Sequence, residues 1–332
     1  MAKRWRARQS PALPLIINSL LPSGCLMDVR KPLDSSAIGI MTLLCLIWGL
    51  QQVVLKLAAP DITPLLQIAL RSGLSAVLVG LLMLWQRQAL ALRAHWRPGL
   101  LVGAVFALEF FLVGEGLRLT SASHLVVLLY TAPIFVALGL HWKLPAERLA
   151  PMQWLGIGLA FTGIAVTFLG RSQALPSTQL PHMLLGDFLA LLAGAAWGGT
   201  TVIVRLSRLA RAPATETLLY QLLGGFLLLM PVAALLGQAS PRLTPVAVGS
   251  VLFQAVVISF ASYLTWFWLL KKYLASRLGV FSFLTPLFGM LFGVWLLDEP
   301  LEANFIAGTV LVLAGVALVS GYGWLKQLRA RS

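Results

Sequence analysis

Long apolar stretches dominate the chain, each cut after about 20 residues by a short cluster of Pro, Lys, Arg and small polar residues. About 20 residues is the length an α-helix needs to cross a hydrocarbon core of about 30 Å. The pattern predicts an all-α membrane protein with ten transmembrane helices, at residues 37–59, 63–85, 99–117, 122–142, 151–169, 184–204, 215–236, 246–270, 276–297 and 302–322. The longest connection, Gly170 to Met183 with Pro176 and Pro181, divides them five and five.

The two halves are copies. The stretch from Ser121 to Glu147 returns in degenerate form from Leu274 to Glu299. At an offset of 153, Ala122, Ser123, Leu125, Val127, Pro133, Phe135 and Leu138 meet Ala275, Ser276, Leu278, Val280, Pro286, Phe288 and Leu291. At 152, Glu147 meets Glu299, Gly156 meets Gly308 and Gly163 meets Gly315; at 149, Trp48-Gly49 meets Trp197-Gly198 and Lys56 meets Arg205. A period of about 150 residues is too long for a solenoid unit and suits half of a symmetric protein. An odd number of spans per half forces the second copy through the membrane in the opposite sense, so the expected architecture is two inverted five-helix repeats. The expected segments are a basic tail (1–36), repeat 1 (37–170), a periplasmic linker (171–183), repeat 2 (184–322) and a second basic tail (323–332).

Composition and charge agree with a membrane location. Of 332 residues 59% are hydrophobic and 11% charged, against about 25% charged in soluble domains. A net charge of +14 would point to nucleic acid in a soluble protein, but its placement follows topology. With both termini cytoplasmic, 20 of the 25 Lys and Arg fall on the inner side, Arg118, Arg171 and Arg242 lie outside, and Lys56 and Arg71 lie within helices. That is the positive-inside distribution, and no nucleic-acid partner is expected. The first residues, with Lys3, Arg4, Arg6 and Arg8, superficially resemble a secretion signal. The apolar part is short and broken by Pro11, Pro14 and Pro22, so a disordered tail is the reading, with Met27 as an alternative start. Cys25 and Cys45 are the only cysteines, too few for a disulfide framework.

No enzyme signature fits its context. GIGLAFTG at Gly156 to Gly163 has the glycines of a dinucleotide loop, but it lies within an apolar helix with no strand before it, and helix packing explains it. The Gly194–Gly198 and Gly289–Gly293 pairs let helices approach closely in lipid. His95, His124, His141 and His182 show no metal-ligand spacing with one another or with acids, so no cofactor or metal is expected.

Ionisable residues inside spans carry more information, because each costs about 2.5–3.5 kcal/mol on insertion scales unless a partner or water meets it. Glu109 lies in the middle of the third span and either lines a cavity or pairs with Arg71 or Lys56. Lys56, near the outer end of its helix, either snorkels to the interface or contacts substrate. Glu115 and Arg118 have the i,i+3 spacing of a local ion pair. Pro133 and Pro286 hold equivalent places in the fourth and ninth spans, where each removes a backbone hydrogen bond; matched kinks suggest gates, with a static kink as the alternative. Trp48 and Trp197 are repeat mates. Tyr263 is deep enough to line a cavity, while Trp266 and Trp268 suit the interfacial belt. The candidate substrate or coupling cavity is therefore Trp48, Lys56, Arg71, Glu109, Tyr130, Trp197 and Tyr263, with kinks at Pro133 and Pro286.

IWGLQQVVLKLA (Ile47–Ala58), TSASHLVVLLYTAPIF, Pro145–Glu147 and LASRLGVFSFLTPLFGMLFGVWLLDEPL together resemble the EamA family of the drug/metabolite transporter superfamily, over residues 37–322. The resemblance implies a bacterial inner-membrane carrier with ten helices. It would export amino acids or other small metabolites through a cavity lined by spans 1, 3, 4, 6, 8 and 9, with 5 and 10 peripheral. The expected partners are a small-molecule substrate and the lipid bilayer, with a homodimer left open. A channel, a non-transporting receptor and a membrane-embedded enzyme are the competing classes; the last would need clustered acids or histidines.

Overall fold

A computed structural model describes residues 34–88, 92–143, 148–170, 180–273, 278 and 281–329. The tail to residue 33, with Met27, lies outside the described residues, as do the linker residues 171–179 and Glu147, Ala275, Ser276 and Val280 of the repeat. The elements are α1 (Ser35–Leu57), α2 (Pro64–Trp85), α3 (Leu92–Leu119), α4 (Ala122–Leu129), α5 (Ala132–Lys143), α6 (Pro151–Gly170), α7 (Leu180–Leu206), a 3-10 turn (Arg208–Arg211), α8 (Ala214–Leu235), α9 (Pro245–Leu252), a π-helical segment (Phe253–Ser262), α10 (Tyr263–Lys272), α11 (Leu284–Leu297) and α12 (Ala303–Arg329). No strand occurs among the described residues.

Local chemistry sets the helix starts. The Asp34 carboxylate accepts from Ala37 N at 2.8 Å, and the Thr63, Ser121 and Thr244 hydroxyls accept from Leu66, His124 and Ala247 N. Pro64 and Pro245 follow their capping threonines in the first turn, where a missing N–H loses nothing.

Among the described residues seven helices are long and apolar enough to cross a membrane, counting Ala122–Lys143 and Pro245–Trp266 as single spans. Three shorter apolar helices accompany them, Pro151–Thr167, Leu284–Leu297 and Ala303–Val319. Large apolar side chains cover the exterior. Trp85, Trp142 and Trp295, near helix ends, are 81%, 78% and 72% exposed, which suits a bilayer interface and would be a liability in water.

Two spans expected as single helices are interrupted. The fourth stops at Tyr130–Thr131 and restarts as α5, placing Pro133 in the first turn of the new helix. A proline ring clashes with the carbonyl four residues earlier, and here the helix breaks where a kink was expected. Pro286 likewise stands in the first turn of α11, after a turn at Ser282–Phe283. The eighth span widens into π geometry between α9 and α10, a distortion common at functional sites.

α1 packs against α11, α11 against α4, α4 and α5 against α7, α3 against α7 and α8, and α2 against α8 and the π segment; α6 and α12 pack on each other. Equivalent residues of the two halves make equivalent contacts. A Cβ added at Gly49 would meet the Thr285 carbonyl at 3.0 Å and Phe288 Cβ at 2.9 Å; at its mate Gly198 it would meet the Ala132 carbonyl at 3.1 Å and Phe135 Cβ at 2.7 Å. An offset of 153 pairs those partners too. A Cβ at Gly156 would meet the Gly315 carbonyl at 2.8 Å and one at Gly163 that of Gly308 at 2.6 Å, so each glycine sits against the mate of the other. The GIGLAFTG run is a packing face.

Candidate functional site

Six of the seven candidate cavity residues gather where α1, α2, α3, α4, α7 and α10 approach one another. Arg71, on α2, is 1% exposed and Glu109, on α3, 5%. Electrostatic interactions link Arg71 with Glu109 and Tyr263, and Tyr130 with Glu109 and Tyr263. Tyr130 caps α4 and meets Trp197 edge-on at 5.2 Å. The Trp48 indole N–H donates to Ser262 Oγ at 2.8 Å, and its ring meets Trp266 edge-on at 5.8 Å. Trp266, expected partly in the interfacial belt, is half-buried against that indole. Trp268 is 47% exposed, with the Lys272 ammonium 4.7 Å above its ring.

Glu109 and Arg71 interact electrostatically but at more than ion-pair distance. Among the described residues Glu109 makes no hydrogen bond or ion pair; Arg71 donates from Nη1 to Gln254 Oε1 at 2.6 Å and Lys56 lies 3.7 Å from Glu299 Oε1. Arg71 belongs to a polar lattice that sequence reading missed. Gln67, one turn before it, donates to the Leu55 and Ile62 carbonyls and accepts from Ser250 Oγ at 2.6 Å. Gln254, one turn after Ser250, also donates to the Gln51 carbonyl at 3.0 Å. The available signal was the i,i+4 spacing of Gln67 with Arg71 and of Ser250 with Gln254, which puts each pair on one helix face.

Lys56 stands apart from the central group, at the end of the bundle that the charge pattern assigns to the outside. There it lines a cavity of 550 Å³ with Arg118, Thr120, His182, Leu297 and Glu299. Its ammonium donates to the Thr120 carbonyl. Asp298 ends α11 in the left-handed region at φ 51°, and the chain turns back so that Glu299 N reaches the Gly293 carbonyl. The Glu299 carboxylate then accepts from Ala122 N at 2.7 Å, Ser123 N at 3.0 Å and Ser123 Oγ at 2.7 Å. An acid at a helix start satisfies orphan N–H groups and meets the positive end of the helix dipole. Gly293 leaves the room, since a Cβ there would fall 2.6 Å from the Glu299 carboxylate. Glu299→Ala strips three acceptor contacts from a buried helix start, and is expected to cost about 2–3 kcal/mol, of the order of one unsatisfied charge-assisted site. Thermal unfolding in detergent measures it; an unchanged midpoint would remove Glu299 from the contacts that hold α4.

A second acid reaches the same helix. His124 Nδ1 lies 3.2 Å from Asp187 Oδ2, Thr120 Oγ1 donates to Asp187 Oδ1 at 2.5 Å, and the imidazole stacks on Phe305 at 3.8 Å. The sequence spacing hid this pair, which is 63 residues apart; among the described residues no third ligand joins it in a metal site. Glu115 and Arg118 form the expected i,i+3 pair at 2.7 Å.

The sequence profile of the EamA-like transporter family matches residues 35–169 and 184–321. The chain belongs to the EamA-like transporter family. It is therefore a multi-pass membrane protein of a transporter family, and family and relatives alike point to a transporter and away from an enzyme. Among its EamA-like relatives, the uncharacterized transporter YoaV of Bacillus subtilis is 27% identical over 82% of this chain and 92% of its own. A probable amino-acid metabolite efflux pump of Escherichia coli is 27% identical over 89% and 98%, and an uncharacterized protein, PA1977, of Pseudomonas aeruginosa is 31% identical over 80% and 86%. A crystal structure at 22% identity superposes with a TM-score of 0.60 over 86% of this chain and 95% of that one, a likeness of fold.

Proposed function

We propose that this EamA-like protein is a secondary transporter that exports amino acids or related small metabolites across a bacterial inner membrane by alternating access. Ten spans form two inverted repeats, 37–170 and 184–322, joined by the linker at 171–183, and both termini are cytoplasmic. Glu109, Arg71, Tyr130, Tyr263, Trp48 and Trp197 form the substrate or coupling site, and the breaks at Pro133 and Pro286 are the gates. The observation that carries the reading is a buried acid and a buried guanidinium at the meeting of both halves, with no ion pair between them within 4.0 Å. Charges kept at that depth face water, cargo or a coupling ion. The efflux-pump name of the Escherichia coli relative supports amino acids as cargo.

Counterflow in proteoliposomes tests it. Vesicles loaded with an unlabelled amino acid should accumulate the labelled one transiently, across a panel of the twenty. Flux without stimulation from the opposite side would make the protein a channel, and no flux for any member of the panel would remove amino acids as cargo.

A further inference from the structure

Arg71 is held on two sides, and its third edge is buried without a hydrogen-bond partner. Its Nη1 is tied to Gln254 at 2.6 Å and its guanidinium carbon lies 4.5 Å from the centre of the Phe110 ring. Its Nε and Nη2 are buried and make no hydrogen bond. Those two nitrogens form one edge of the group: Nη1 is cis to Cδ, so the Nε and Nη2 hydrogens on the far edge point the same way. That parallel pair of donors matches the two oxygens of a carboxylate. The edge therefore has the geometry of a bidentate anchor, and Gln254 and Phe110 fix its direction before anything binds.

A buried cationic fork costs free energy unless something meets it. Glu109 lies within electrostatic reach yet makes no ion pair with it. A simple anion would leave the Glu109 carboxylate unmatched, and a simple cation would leave the fork unmatched. A ligand that carries both charges meets both. Phe110 lies against the guanidinium, Tyr130 and Tyr263 are within electrostatic reach of the pair, and Trp197 meets Tyr130, so aromatic rings gather beside the two charges.

We propose that the Nε/Nη2 edge of Arg71 binds the carboxylate of a zwitterionic substrate whose ammonium is taken by Glu109, and that the aromatic walls select an apolar side chain. This rests on the transporter reading above and names how that site would recognise its cargo. Gln254 is a positioning residue: it touches the guanidinium and orients it.

The test uses the purified full-length protein in detergent and three probes of one shape: L-leucine, L-leucinamide, which lacks the carboxylate, and 4-methylpentanoate, which lacks the ammonium. Titration calorimetry should give L-leucine a Kd at least about 10-fold below either analogue, the scale of one charge-assisted hydrogen bond. Arg71→Gln should abolish the preference for leucine over leucinamide and leave the leucinamide Kd within about twofold. Glu109→Gln should abolish the preference over 4-methylpentanoate. If Arg71→Gln does not fold, Gln254→Glu places a carboxylate against the guanidinium and should weaken leucine alone.

Equal binding of all three probes by the wild type overturns the inference, as does a preference for leucine over leucinamide that survives both Arg71→Gln and Gln254→Glu. So does an absence of leucine binding. In each case counterflow with other amino acids would leave the transporter reading standing, and its failure across the panel would end that reading separately.

Discussion

Glu109→Gln is expected to reduce counterflow by about 10- to 100-fold while leaving the protein folded, with a melting temperature equal to or above that of the wild type. The two effects have one cause. Glu109 is a buried carboxylate that makes no hydrogen bond or ion pair among the described residues, so in the resting protein its charge is a burden, and an amide of the same shape removes the burden. During transport the charge is what a ligand ammonium or a coupling proton would meet, and a charge-assisted contact is worth about 1.5–3 kcal/mol, which is the stated range in rate if the contact is made in the limiting step. Such opposed changes mark residues kept for activity at the expense of stability. Wild-type counterflow with an unchanged pH profile would remove Glu109 from the site. A lower melting temperature would show that the carboxylate holds the helices together.

Glu109 and Arg71 were legible in the sequence because a charge in the middle of an apolar run has no bland explanation. The amides beside them were not. Gln67 and Gln254 cost less to bury and break no pattern, so only the geometry shows that they join α1, α2 and the π segment. Glu299 was visible as the mate of Glu147, but its contacts with Ala122 and Ser123 span more than 170 residues of chain. Asp187 should have been noticed by the reasoning that picked out Glu109, since it is an acid within the expected 184–204 span. Apolar run lengths placed the helices because lipid imposes one length on every span. They were silent on the break at Tyr130–Thr131 and on the π geometry of Phe253–Ser262, which depend on neighbours rather than on local composition.

Gly224→Leu is expected to destabilise the protein by about 3 kcal/mol or more, at the upper end of the overpacking range, and to abolish monodisperse elution in detergent. A Cβ at Gly224 would fall 2.5 Å from the Cα and carbonyl carbon of Gly103, and a Cβ at Gly103 would fall 2.7 Å from the Tyr220 carbonyl. Both obstacles are backbone, so no rotamer change relieves them and α3 must move away from α8. In lipid such close approach is a principal source of helix association, since burying apolar surface brings little gain there. The displacement would also shift Glu109, which lies on α3. Gly80→Leu is the matched control: a Cβ there meets nothing within 4 Å, and its effect should stay within about 0.5 kcal/mol. Equal melting curves for the two variants would show that the α3–α8 approach is not tight in the membrane protein.

The glycine contacts between α6 and α12 constrain how the molecule can move. Gly156 seats on Gly315 and Gly163 on Gly308, two points seven residues apart, or about 10 Å along a helix. Were one helix to slide along the other by a turn, both seats would be lost together; a shift of seven residues, about 10 Å, is needed to bring Gly163 and Gly170 onto Gly315 and Gly308. Rotation about the line through the seats keeps both. On the alternating-access reading proposed above, the α6–α12 pair would work as an axle, leaving the rest of each half free to swing and little free to slip.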